Sequence, residues 1–203
     1  MKEFPKKSAL LFAAAMAFCT FAMPSMASAS SWGLIGTHHR LDSTNLGFIN
    51  DASGIVANCT RSQFTAEVIS GLTLQFTNGT FTGCGATGGG VGSCTTTWTG
   101  TNFPWTATAS TTTNIQIHGV DVDVLFETTP GGGTSCVLDG ASLRITGTLT
   151  TARWTGNGTG LRGIELNGAT NLVGHAPFLP PNSSITLTGT VTDNTQNTLT
   201  VTS

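Results

Sequence analysis

The stretch Ile185-Thr186-Leu187-Thr188-Gly189-Thr190-Val191-Thr192 places an apolar residue or glycine at every odd position and threonine at every even one. A period of two lines one face with Ile, Leu and Val and the other with hydroxyls. That is the pattern of a half-buried antiparallel strand with one wet face. Leu143-Arg144-Ile145-Thr146-Gly147-Thr148-Leu149-Thr150 follows the same eight-residue template. In both, the glycine falls on the apolar face, which predicts a close approach by a bulky neighbour or another backbone.

Working outward, residues 72–76, 105–110, 115–126 and 198–202 read as further strands, while 61–69 fits either period. Within 115–126 the apolar parity shifts after Ile117, and Gly119 at the changeover predicts a β-bulge. Asn78-Gly79, Gly88–Gly90, Pro130–Gly133, Pro180–Asn182 and Asp193-Asn194 supply turn signals. No segment carries a helical stripe. The expected fold is therefore all-β, a single-domain antiparallel β-sandwich (immunoglobulin-like or jelly-roll-like) over residues 30–203, with a small β-barrel as the alternative. Residues 30–51 hold two of the four His and little alternation beyond Leu46–Ile49, and read as an edge strand or a loosely held arm. An outer-membrane barrel would show ten-residue strands with aromatic girdles, and this chain has no Tyr.

Residues 1–29 have the layout of a secretory signal peptide: Lys2, Lys6 and Lys7, then an apolar run from Ala9 to Met23, then Ala27-Ser28-Ala29 as a cleavage site. Pro24 cuts the run short of a membrane span, so no transmembrane segment is expected after cleavage. Residues 30–203 then contain no Lys and keep five Arg against nine acids. So few cations cannot displace the counterions of a phosphate backbone, which excludes nucleic acid as a partner. Solubility rests on the 38 Thr and 16 Ser of the chain. Disorder is excluded by 38% hydrophobic residues against 9% charged ones.

Removing Cys19 with the leader leaves Cys59, Cys84, Cys94 and Cys136, an even number suited to an oxidising compartment. Two disulfides are expected, with three connectivities open; pairing in chain order, 59 with 84 and 94 with 136, would link neighbouring strands. Zinc is disfavoured because no two of these Cys, and no His, sit at ligand spacing.

Candidate binding residues are Trp98 and Trp154, which lie among Thr and Gly and could stack on sugar rings if exposed. Asp121 and Asp123 share one strand face, a starting point for a cation site or a carboxylate pair, though a solvated face has the same pattern. His38-His39-Arg40 with Asp42 is the densest polar cluster, yet adjacent strand residues point to opposite faces and make poor joint ligands. No local nucleophile motif is present; a hydrolase would need a His within reach of Ser or of an acid in a cleft. The residues imply no cofactor and no catalytic group.

The order of Cys59-Thr60-Arg61-Ser62-Gln63-Phe64-Thr65, Phe81-Thr82-Gly83-Cys84, Cys94, Phe103-Pro104-Trp105, His118-Gly119-Val120-Asp121-Val122 and Cys136 resembles a group of small exported bacterial β proteins, some named protein activators of alkane oxidation. The resemblance spans Ala57 to Gly147. It implies an exported, surface- or matrix-associated protein with no catalytic residues to carry over. The expected function is thus that of a secreted, non-catalytic component of the cell surface, envelope or extracellular matrix. A carbohydrate- or small-ligand-binding module and a small secreted hydrolase are the alternatives. The expected partner is a surface or matrix component, a glycan among them, with self-association through exposed strand edges as a further route.

Overall fold

A computed structural model describes residues 31–131, 135–156, 162–166, 168–195 and 199–202. The signal-peptide reading of residues 1–29 lies outside the described residues, as do Gly132 and Gly133 of one glycine run and Thr198 of the last expected strand. In chain order the strands are β1 (Ser31–Trp32), β2 (His38–Ser43), β3 (Leu46–Asn50), β4 (Ile55–Ser70), β5 (Thr73–Gly88), β6 (Cys94–Gly100) and β7 (Trp105–Ala109). They continue as β8 (Asn114–Thr128), β9 (Ser142–Trp154), β10 (Gly163–Glu165), β11 (Ala169–His175), β12 (Ser183–Thr188), β13 (Thr190–Asp193) and β14 (Val201–Thr202). All pairings are antiparallel, and β1 and β14 form a separate two-stranded ribbon.

The other twelve strands make one sheet that joins onto itself. Long β4 pairs long β5, and long β8 pairs long β9. Between β5 and β8 stand β6 at one end and β7 at the other. Between β4 and β9 stand β3, β12 and β11 at the first end, and β2, β13 and β10 at the second. Each circuit therefore counts eight strands, a number whose interior side chains nearly fill. The all-β, antiparallel, disulfide-linked fold agrees with the sequence, and its pairings describe a single sheet carried round into a ring.

Alternation decides what faces inward. On β8 the buried Ile115 and Ile117 give way to buried Val120, Val122, Val124 and Phe126. The register shifts between Ile117 and Val120, and Gly119 has φ +73°, so the expected bulge is present. Gly147 and Gly189 mark the close approaches their positions predicted. A Cβ on Gly147 would lie 2.3 Å from the Asn171 carbonyl oxygen, and one on Gly189 2.8 Å from that of Asn45. The outer faces carry exposed Thr65, Thr80, Thr82, Thr97 and Thr99, so the ring is apolar within and hydroxylated without.

Two expectations are corrected. Residues 38–50 are not a loosely held arm: β2 and β3 each pair on both sides, and Leu41, Phe48 and Asn50 are fully buried. Asn78-Gly79 is not a turn but lies inside β5, where the register shifts opposite Thr65 and Ala66. The missing side chain of Gly79 makes room there for the rings of Phe64 and Phe103.

The ring has two packed ends. At the β2 and β7 end the ribbon of β1 and β14 closes over it, with Trp32 edge-on to Trp154 at 5.9 Å. The other end is held by Cys59–Cys84, directly opposed on β4 and β5, and by Cys94–Cys136. Chain-order pairing of the cysteines is the one that forms.

Candidate functional site

Between these ends the ring has a hollow waist. All the ring strands but β2, β10 and the loop-supported ends contribute side chains to it, among them Phe64, Phe81, Trp98, Trp105, Val120 and Leu149. They enclose a cavity of about 50 Å³ whose walls expose only apolar atoms. The indole N–H groups that reach this region are already used. Trp98 donates to Thr96 Oγ1 at 2.9 Å and Trp105 to the Thr101 carbonyl at 3.0 Å, leaving the waist dry and uncharged.

The aromatic walls form a connected chain. Phe64 meets Phe76, Phe81 and Trp105 at centroid distances of 5.9, 5.5 and 6.2 Å, and Phe81 meets Trp98 at 5.7 Å. Phe103, only half-buried, stacks on Trp105 at 4.5 Å.

Trp98 and Trp154 are both buried, at 6% and 3% exposure, so neither offers a ring face to a sugar at the surface. The stacking-platform expectation is corrected on that ground. Trp98 instead lines the waist, and Trp154 packs against Trp32, its Nε1 without a hydrogen-bond partner among the described residues.

Asp121 and Asp123 share the outer face of β8 as expected, but they have different surroundings. Asp121 is buried and held by Arg144, whose Nε donates to Oδ1 at 2.9 Å and Nη2 to Oδ2 at 2.6 Å. Asn102 Nδ2 donates to the same carboxylate. The hydrogen bonds from Arg144 hold the Asp121 carboxyl down to about 2, against the opposing effect of burial. Asp123 is exposed and adds to the field on Arg144. The pair is thus one ion-paired and one solvated carboxylate. Among the described residues no three His, Cys, Asp or Glu come together as a metal-holding group.

His38 and His39 point to opposite faces, His38 exposed and His39 buried. His39 Nδ1 lies 3.1 Å from Asp193 Oδ2, and Nε2 lies 2.9 Å from Thr37 Oγ1. No signal in the sequence links His39 to Asp193, 154 positions away; only ring closure between β2 and β13 brings them together. A hydroxyl, an imidazole and a carboxylate in this order have the residue types of a nucleophilic triad. Yet the His39 and Asp193 side chains are each 2% exposed, and Thr37 Oγ1 donates to the Leu34 carbonyl at 2.7 Å. Among the described residues the group is a buried polar brace.

His118 and His175 each meet a threonine, Thr108 at 3.4 Å and Thr146 at 3.1 Å. No family model matches the chain, and no curated protein and no solved structure is similar to it.

Proposed function

We propose that the chain is an exported, non-catalytic component of the cell surface, envelope or extracellular matrix. The observation that carries this reading is the pair of buried disulfides at one end of the ring. They bridge sequence separations of 25 and 42 residues, and such bonds persist in oxidising compartments outside the cytosol. The leader-like residues 1–29 point the same way, as does the resemblance of Ala57 to Gly147 to small exported β proteins. The hydroxyl-rich outer face supports a protein that stays wetted with very few charges. No helix among the described residues is long and apolar enough to cross a membrane.

The test is location. Cells producing the full chain are fractionated and intact cells are treated with protease. The proposal expects the protein in the medium or stripped from the surface by the protease; confinement to the cytosol contradicts it.

A further inference from the structure

We infer that the waist of the ring is a binding site for a small uncharged apolar molecule, entered sideways between β5 and the β6–β7 crossover. The inference stands on the interior and holds whether or not the surface reading above is right.

Cavities lined by apolar atoms alone stay dry, because a water there would find no hydrogen-bond partner, and they take up apolar guests instead. The waist meets that condition on every wall. Its volume of about 50 Å³ compares with about 150 Å³ for an apolar cavity that accepts benzene. The guest is therefore an apolar molecule smaller than a benzene ring. Charged and hydrogen-bonding ligands are selected against, because nothing in the waist offsets the loss of their hydration.

The entry is a seam in the ring. On β5, pairing to β7 stops at Phe76, opposite Trp105, and pairing to β6 starts at Cys84, opposite Thr96. No strand pairing joins residues 77–83 to residues 97–104 across that interval. The seam is filled by a side chain. A Cβ on Gly79 would lie 3.1 Å from the Phe103 ring, and one on Gly100 2.8 Å from it, so the ring lies where two side chains are missing. Trp105, on which it stacks, belongs to the cavity wall, as does Phe81 within the unpaired interval of β5. Phe103 is a half-buried plug, held by stacking on Trp105 rather than by strand hydrogen bonds across the interval.

The probe is xenon, read by ¹²⁹Xe NMR on the oxidised chain. The expected result is a saturable chemical-shift change beyond that of non-specific contact. Filling the cavity with Val120→Ile plus Val191→Ile, or separately with Val122→Leu, removes the saturable component while near-UV circular dichroism keeps the wild-type tryptophan signature. Phe103→Ala retains binding and speeds xenon exchange several-fold. Absence of a saturable shift in the wild type, or its persistence in both folded filled variants, overturns the site. Unchanged exchange in Phe103→Ala overturns the seam as the entry.

Discussion

Asp193 and His39, 154 positions apart in the chain, meet with Oδ2 3.1 Å from Nδ1 inside the end of the ring. The carboxylate also accepts from the Leu199 amide at 3.0 Å and from the Thr195 amide and hydroxyl at 3.0 and 2.6 Å. A carboxylate only accepts, so His39 Nδ1 is the donor in this contact. The brace ties β2 and β13 to Thr195 and Leu199.

Removing the carboxylate leaves buried donors unpaired. Asp193→Ala should lose about 1–3 kcal/mol of stability in urea unfolding, the cost of leaving buried donors unsatisfied. The double variant His39→Leu/Asp193→Leu should lose less than the sum of the two single losses, because it removes both partners together. Additive losses would show that the two side chains do not act as a pair.

The Asp121–Arg144 ion pair gives the fold an acid dependence of known sign. The folded carboxyl sits near 2, below its ordinary 3.8, so its stabilisation is complete above about pH 4 and is lost as the pH falls through 2. The shift corresponds to about 1–2 kcal/mol once the half-exposed guanidinium is allowed for. Asp121→Asn should therefore weaken the protein at pH 7 and flatten its loss of stability between pH 4 and 2. Equal acid slopes in wild type and variant would remove this pair from the account.

The two inward glycines should differ from a glycine that is merely turned. Gly147 combines φ +141° with a carbonyl 2.3 Å from any Cβ, whereas Gly168 has φ +72° and open space. Gly147→Ala should cost more than about 2 kcal/mol, and Gly168→Ala about 1 kcal/mol. Thermal unfolding of the two variants checks the order; a reversed order would mean that the close approach at Asn171 is not maintained.

The disulfides act on the unfolded chain. Closing loops of the size set by Cys59–Cys84 and Cys94–Cys136 is worth about 3–4 kcal/mol each in the chain-entropy account. Replacing Cys94 and Cys136 together by Ala should lower stability by about that amount with the fold retained. A loss under about 1 kcal/mol would show that the unfolded chain is already confined without the bond.

What was legible in the sequence was whatever a single strand reveals about itself. The alternation at 143–150 and 185–192, the inward Gly147 and Gly189 and the bulge at Gly119 all depend on which way neighbouring side chains point. Which strand lies beside which is not a local property. The pairing of β2 with β13, and with it the His39–Asp193 contact, follows from ring closure and leaves no trace in either segment. Asn78-Gly79 misled because a residue pair that favours a turn also suits a strand position that must stay empty for Phe64 and Phe103. Trp98 and Trp154 misled for a related reason: their immediate neighbours Thr97, Thr99, Arg153 and Thr155 alternate with them and are exposed, which says nothing about the faces the indoles occupy.

The most direct test of the account as a whole is the intact mass, without reduction, of the protein recovered from outside cells producing the full chain. An exported ring predicts a species that begins at Ser30, contains two disulfides and yields linked peptides joining Cys59 to Cys84 and Cys94 to Cys136. A chain found only inside the cell, still carrying residues 1–29 and four free thiols, would contradict it.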